Sequence, residues 1–230
     1  MPIVRVESGI PGLDKLIEGG FVKGSTNLVA GYSGTGKTIF GCQFILQGLK
    51  IGENGVYVTL EESKEDILED VSRFGWDLTF KRYIDQNKFL LYSTFPMSIK
   101  KLEESVFDLV KKINAKRFVL DSLTVASLGW EETKDISKMR RDTFDFMTTL
   151  KRLGVTSLLL TEIPETETKA LSRFGFEEFV VDGVIILNYL EYVAAGTPRS
   201  LIIRKMRRTK QGMDVYPFEI TNNGIIVKKG

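Results

Sequence analysis

Two periodicities divide this chain. Short apolar, β-branched runs bounded by turn residues recur at Thr26 to Ala30, Val56 to Leu60, Phe89 to Tyr92, Arg117 to Leu120 and Val155 to Thr161. Between them, apolar residues return every three or four positions. They do so in a helix starting near Lys37, which carries Ile39, Phe40, Phe44, Ile45 and Leu49, and again over Glu65 to Phe74, Ser98 to Ile113 and Ile136 to Leu153. Strand and helix in alternation predict an α/β fold with a mostly parallel sheet covered by helices on both faces. After Val180 the helical spacing stops. Gly183 to Leu190, Ser200 to Met206, Val215 to Ile220 and Ile225 to Val227 have no helix between them, so antiparallel hairpins extending the sheet are expected. No repeat, low-complexity tract or linker interrupts the pattern, and residues 1–230 are expected to form a single domain.

Composition narrows the chemistry. Hydrophobic residues at 43% and charged residues at 27% suit a folded soluble protein and exclude a long disordered tail. A net charge of +2 gives no global field for nucleic acid. There is no histidine and one cysteine, Cys42, which excludes an intrachain disulfide, a Cys/His zinc site and a histidine base. Cys42 falls inside the first helix pattern and is expected to be a small buried residue. No apolar run is long enough to span a bilayer, and Met1 to Glu7 lacks a basic head followed by an apolar stretch; a cytoplasmic protein is expected, with no membrane partner.

One turn carries a specific motif. Gly31, Tyr32, Ser33, Gly34, Thr35, Gly36, Lys37 and Thr38 fill every fixed position of the phosphate-binding loop G-x-x-x-x-G-K-[ST], between an apolar strand and an amphipathic helix. There the backbone N–H groups of the turn and helix N-terminus face phosphates, and Lys37 reaches the outer ones. Thr38 puts its hydroxyl on a magnesium ion, and Ile39 stands next in line toward the nucleotide. ATP or ADP with Mg2+ is the expected occupant.

Three further groups add to the loop. Asp121 ends an apolar strand, where a carboxylate holds magnesium through a water in the manner of a Walker B site. Glu61 and Glu62 follow the strand ending at Leu60, on the edge where open α/β sheets bind ligands. With no histidine, one of them is expected to polarise the attacking water. The alternative is an acidic cap on the helix that begins after Ser63. Arg204, Lys205, Arg207, Arg208 and Lys210 put five cations in one hairpin. A solvated face, a nucleic-acid patch and charge donated to a neighbouring subunit's phosphates all fit that pattern. Strict alternation would put Lys205 and Arg207 on one side and Arg204, Met206 and Arg208 on the other. Phe74 and Trp76, with Arg73 beside them, belong either near an adenine or in the core.

Over nearly its full length the chain resembles a single KaiC-type domain of the RecA-like branch of phosphate-loop ATPases. The resemblance is carried by Ser8-Gly-Ile-Pro-Gly-Leu-Asp14, the loop itself, Glu61-Glu62-Ser63, Phe74-Gly-Trp-Asp-Leu78, Asp121-Ser122, Thr161-Glu162, Glu177-Glu178-Phe179, Lys205-x-Arg207-x-Thr209 and Tyr216-Pro-Phe218. It implies a RecA-like P-loop NTPase fold and slow hydrolysis of ATP, with a glutamate of the Glu61, Glu62 pair acting on the lytic water. It also implies that Lys205 and Arg207 reach across a subunit interface toward the γ-phosphate of the neighbour's ATP. Such a cation stabilises charge developing in the transition state and can be worth about 10³ or more in rate. The implied unit is a homo-oligomeric ring, most simply a hexamer, because head-to-tail interfaces close or run on into filaments. Thr209 and Thr221 match positions near the neighbour's nucleotide, Asn222 stands where an acidic residue is familiar, and Thr161-Glu162 resembles the element that senses the γ-phosphate.

The chain also departs from that pattern. Where the family has Lys-x-Arg-Gly-Thr, this sequence has Arg208 in place of glycine, and Lys210 and Gln211 replace smaller or histidine-bearing neighbours. With one loop and one domain, neither clock function nor autophosphorylation follows. Two other functions share the same core. A DNA-dependent RecA-like motor would use the loop from Val125 to Thr133, with Trp130, and the segment Pro164 to Ser172; near-neutral charge and the lack of a separate DNA-binding domain weigh against it. A nucleotide-gated scaffold with negligible turnover would bind an unknown regulatory protein. Arg140 and Arg141 are either an interface pair or a solvated helical face.

Overall fold

The central strand β3 (Thr26–Gly31) is buried along its whole length, because it has a parallel partner on each side and helices over each face. The computed structural model describes residues 2–128, 136–164, 177–190 and 199–228. A short antiparallel pair, β1 (Arg5–Val6) and β2 (Phe21–Val22), brackets α1 (Leu13–Leu16) ahead of β3. Then follow α2 (Lys37–Lys50), β4 (Gly55–Thr59), α3 (Lys64–Ser72), α4 (Asp77–Asp85), β5 (Phe89–Ser93), α5 (Ile99–Ile113), β6 (Arg117–Asp121), α6 (Leu123–Leu128), α7 (Ile136–Leu153) and β7 (Thr156–Glu162). The chain closes with α8 (Glu177–Val180), β8 (Gly183–Tyr189), β9 (Arg199–Met206), β10 (Val215–Thr221) and β11 (Gly224–Val227).

The main sheet runs β11-β10-β9-β8-β3-β7-β6-β4-β5. From β8 to β5 every pairing is parallel; from β8 outward to β11 every pairing is antiparallel. This is the expected mostly parallel sheet with hairpins at one edge. Side-chain alternation splits each buried strand between two cores. Val29, Tyr57 and Val119 join Phe40, Phe44, Ile67 and Phe80 on one face, while Leu28, Ala30, Val56, Val58, Phe118 and Leu120 join Leu102, Val106, Phe146 and Leu150 on the other. Cys42 is buried in the first core, and burial pushes its thiol up, as befits a packing residue.

The alternation expected for β9 does not hold. Val184 pairs with Lys205 but Ile185 with Ile203, so Arg204 is an extra residue in a β-bulge. Arg204 is therefore exposed while Met206 is buried, and the strand ends before Arg207.

Arg117 opens β6 and is the largest fully buried side chain among the described residues. Its Nε donates to Glu53 at 2.7 Å, its Nη1 donates to the carbonyls of Glu7 and Phe44 at 2.8 Å each, and its guanidinium lies 4.6 Å from the Phe44 ring centroid. It ties the N-terminal segment, α2 and β6 together at the end of the sheet away from Asp121. Arg117→Ala strands two carbonyls and leaves a void, which should cost about 3 kcal/mol. For a chain of this size that is a fall of roughly 10 °C in Tm. Thermal denaturation showing a loss under about 1 kcal/mol would refute this.

Candidate active site

β3 ends at Gly31 and α2 begins at Lys37, so the phosphate-loop motif spans a tight strand-to-helix turn. Gly34 and Gly36 take φ of +73° and +103°, which an L side chain rarely adopts. The α2 N-terminus has no side-chain cap, so its first N–H groups point into the turn with the positive end of the helix dipole. Thr35 is fully buried and its hydroxyl donates to the Tyr32 carbonyl at 2.8 Å, so these two residues shape the loop from within.

Lys37 Nζ donates to the carbonyls of Gly31 and Tyr32, both at 3.0 Å. Burial lowers its pKa, and the carboxylates of Glu162, Asp121 and Glu61 oppose that shift. Asp121 lies at the end of β6 and is 5% exposed. Its Oδ2 accepts from the Tyr57 hydroxyl at 2.6 Å and from the Thr38 hydroxyl at 2.9 Å. Burial raises the Asp121 pKa, with the two hydroxyls and Lys37 pulling the other way. A buried carboxylate beside a threonine hydroxyl is a hard-oxygen donor set that fits a magnesium ion, whose other ligands are waters and phosphate oxygens.

The two glutamates differ. The Thr59 hydroxyl accepts from the backbone N–H of Glu61 and Glu62 and donates to the Glu62 carbonyl, fixing the turn after β4. Glu61 is the more exposed and accepts a hydrogen bond from the Ser122 hydroxyl, next to Asp121. Partial burial raises its pKa, and that hydrogen bond offsets the rise only in part. Glu62 has Oε2 buried with no partner. Burial first, then the charges of Asp121, Asp70, Glu61 and Asp66, push its carboxyl up to about 7. The alternative role, capping the helix after Ser63, is filled by Ser63 and Asp66, which form a reciprocal capping box on α3.

A cleft of about 540 Å³ joins Ser33, Gly34, Gly36, Lys37, Thr38 and Ile39 to Glu61, Glu62, Arg73, Thr221 and Asn222. Thr221 and Asn222 thus line the chain's own cleft, whereas the resemblance had assigned Thr221 to a neighbour's nucleotide; the β10–β11 turn reaches it because Ile220 packs beside Gly36. Phe74 lines the cleft while Trp76 is core, so the aromatic pair divides between its two expected places. Glu162 lines it too, its N–H held by the Thr124 hydroxyl at 2.8 Å. Asp70, Ile220 and Arg199 were not foreseen. Arg199 donates to the Gly34 carbonyl at 3.4 Å and lies over the Tyr189 ring, whose hydroxyl donates to Ser33. Only strand pairing brings Arg199 there: it opposes Tyr189, at the loop end of β8.

Lys205, Arg207 and Thr209 are not in this cleft. Met206 pairs with Gly183, at the opposite end of β8 from Tyr189. A seven-residue strand spans roughly 20 Å, so Arg207 lies about that far from its own loop. Lys205 Nζ donates to the carbonyls of Glu178 and Val181 at 3.0 and 2.7 Å, and burial, then the Arg207 charge, lowers its pKa. Arg207 pairs with Asp182 at 3.6 Å and lines a second cavity, of about 550 Å³, with Arg140, Arg141, Lys151 and the exposed rings of Phe144 and Phe179. Trp130 and the segment 165–172 lie outside the described residues. Among the described residues no helix is long and apolar enough to cross a membrane.

The sheet order and the loop between β3 and α2 define a RecA-like phosphate-loop protein. The chain belongs to the KaiC ATPase family: the family model described as "ATPase: KaiC" matches residues 6–230. It is 34% identical over 239 residues to the circadian clock oscillator protein KaiC of Prochlorococcus marinus and 37% identical over 235 residues to that of Thermosynechococcus vestitus, covering 99% and 97% of this chain but only 45% and 44% of those proteins. The chain thus spans under half the length of these curated relatives. A crystal structure of a KaiC-like protein from the hyperthermophilic archaeon Pyrococcus horikoshii OT3 matches with a TM-score of 0.87 and 42% identity, covering 99% of this chain and 100% of that one.

Proposed function

We propose that residues 1–230 act as one KaiC-type ATPase domain that slowly hydrolyses ATP to ADP and phosphate in the cytoplasm, with its cycle coupled to the shape of a ring and so to a regulatory protein. The observation that carries this is the convergence on one cleft of Lys37, the Asp121–Thr38 pair and Glu62, whose buried Oε2 has no partner. Lys37 and the α2 N-terminus bind and orient the phosphates. Mg2+ held at Thr38 and Asp121 supplies neutralisation of the phosphate oxygens when bound. Glu62 takes a proton from the attacking water; burial keeps its carboxyl basic, and the charges of Asp121, Asp70 and Glu61, the last held by Ser122, add to that. Arg199 adds positive charge in cis.

The transition-state cations come in trans. Lys205 and Arg207 are too far from their own loop to serve it, while the basic cavity around Arg207 complements the acidic flank of the cleft, where Glu61, Glu62, Asp66, Glu69 and Asp70 gather. A heterologous contact of one face with the other closes into a ring, hexameric by resemblance to KaiC-type domains. The test is ATP hydrolysis by wild type mixed with increasing Arg207→Ala subunits, with mass followed by light scattering. Arg207→Ala alone is expected to lose about 10³ in rate. In mixtures, activity should fall faster than the wild-type fraction as subunits exchange. A proportional fall with a persisting monomer sinks the trans assignment and favours a nucleotide-gated scaffold.

A further inference from the structure

Arg207, Arg208 and Thr209 form the turn that ends β9, and the turn is shaped against its sequence. Arg208 has φ of +58°, in the left-handed region where a side chain crowds its own backbone and glycine does not. The KaiC-type motif that this chain resembles has glycine there. Here something else has to hold the conformation.

Arg5 is in place to do so. From β1, at the other end of the chain, its Nη1 donates to the Thr209 hydroxyl at 2.6 Å and its Nη2 donates to the Arg208 carbonyl at 3.0 Å. The same guanidinium is fixed from behind by Glu18, at 2.7 Å, and by the Gly20 carbonyl, at 3.4 Å. Its side chain is only 14% exposed. The Thr209 hydroxyl passes the constraint on, donating to the Arg207 carbonyl at 3.2 Å, while the Arg207 N–H donates to the Asp182 carbonyl at 2.9 Å. Both sides of the Arg207 backbone are thereby tied down. A planar fork that meets two acceptors at fixed spacing sets a turn in a way a single ammonium cannot.

We propose that Arg5 is a positioning residue for Arg207: it clamps the strained turn after β9 so that the Arg207 guanidinium is presented in one orientation to the neighbouring subunit. This rests on the trans-acting role of Arg207 proposed above. The N-terminal pair of short strands is then part of the catalytic apparatus of the adjacent subunit. A side chain at Arg208, on backbone that glycine adopts freely, is what makes the clamp necessary.

The experiment measures kcat and KM for ATP hydrolysis, with particle mass, in six proteins: wild type, Arg207→Ala, Arg5→Met, Arg5→Lys, Arg5→Met with Arg207→Ala, and Arg5→Met with Arg208→Gly. Arg5→Met keeps the apolar stem and removes the donors; kcat should fall about tenfold with KM within about twofold, since a misaimed group costs rate rather than binding. Arg5→Lys should fall nearly as far. Added to Arg207→Ala, Arg5→Met should change nothing more, because both act through one group. Arg208→Gly should restore most of kcat to Arg5→Met, because glycine takes a positive φ without strain. If Arg207→Ala leaves kcat unchanged, the trans assignment fails and the Arg5 role falls with it. If Arg207→Ala is impaired but Arg5→Met is not, or the two losses multiply, the trans assignment stands and the Arg5 role is overturned. Should Arg5→Met fail to fold, Arg5→Lys decides, and wild-type kcat in that variant overturns the role.

Discussion

Replacing Glu62 by Gln is expected to leave ATP binding within about threefold of wild type and to lower hydrolysis by about 10²- to 10⁴-fold, the usual worth of a positioned general base. Two observations single out Glu62. Its Oε2 is buried without a partner, and its carboxyl is pushed from 4.5 up to about 7 by burial and by the charges of Asp121, Asp70, Glu61 and Asp66. A carboxylate of that basicity removes a proton from water far better than an ordinary one. The base works deprotonated, so wild-type turnover should rise with pH through about 7. Glu61→Gln, which removes one of the charges that raise Glu62, should shift that rise to lower pH, and Glu62→Gln should abolish it. Stability carries the opposite sign. Between 4.5 and about 7 the folded state keeps a proton that the unfolded chain has released, so wild type should lose stability as pH rises through that window, and Glu62→Gln should lose less. Single-turnover hydrolysis and Tm across pH report both effects. A Glu62→Gln enzyme that retains more than about a tenth of the wild-type rate would transfer the role to Glu61.

Much of this was legible because the loop and the parallel strands are local. Glycines, lysine and threonine at fixed spacing dictate one turn, and runs such as Val56 to Leu60 are too apolar and β-branched to be anything but buried strands, so their C-terminal edge gathers Glu61, Glu62 and Asp121. Short elements escaped notice: α4 has nine residues and fully buries only Phe80, and β1, β2, α1 and α8 are two to four residues long. Non-local pairing escaped too. Nothing near Arg199 in sequence indicates that it meets Gly34; that follows from the register of β9 on β8. The same register, through one bulge, undid the expected faces of the basic hairpin. Glu61 and Glu62 looked equivalent because their difference lies in what surrounds each carboxylate, a hydroxyl for one and, for the other, acidic neighbours around a buried oxygen with no partner.

Removing the Lys37 cation, as in Lys37→Met, should weaken ATP binding by about 10²-fold or more, the scale for truncating one partner of a buried charge pair. Lys37 is the cation set against Glu162, Asp121 and Glu61, and these acids raise its pKa while burial lowers it. Without it the phosphates of ATP would enter a cleft whose nearest charges repel them, with Arg73, Arg199 and the α2 N-terminus left to offset the carboxylates of Glu162, Asp121 and Glu61. The loop would also lose the two hydrogen bonds by which Lys37 closes on Gly31 and Tyr32, so its backbone donors would be less well ordered. Met keeps the aliphatic stem, which separates loss of charge from loss of packing. Ligand that binds only the folded state stabilises it by RT ln(1 + [L]/Kd), so the upward shift in Tm with ATP and Mg2+ should appear in wild type and in Glu62→Gln and vanish in Lys37→Met at the same concentration. An undiminished shift in Lys37→Met would mean that phosphates bind elsewhere on the chain, and the assignment of this cleft would be wrong. Glu62→Gln and Lys37→Met thus divide the site by function: one should bind without turning over, the other should fail to bind.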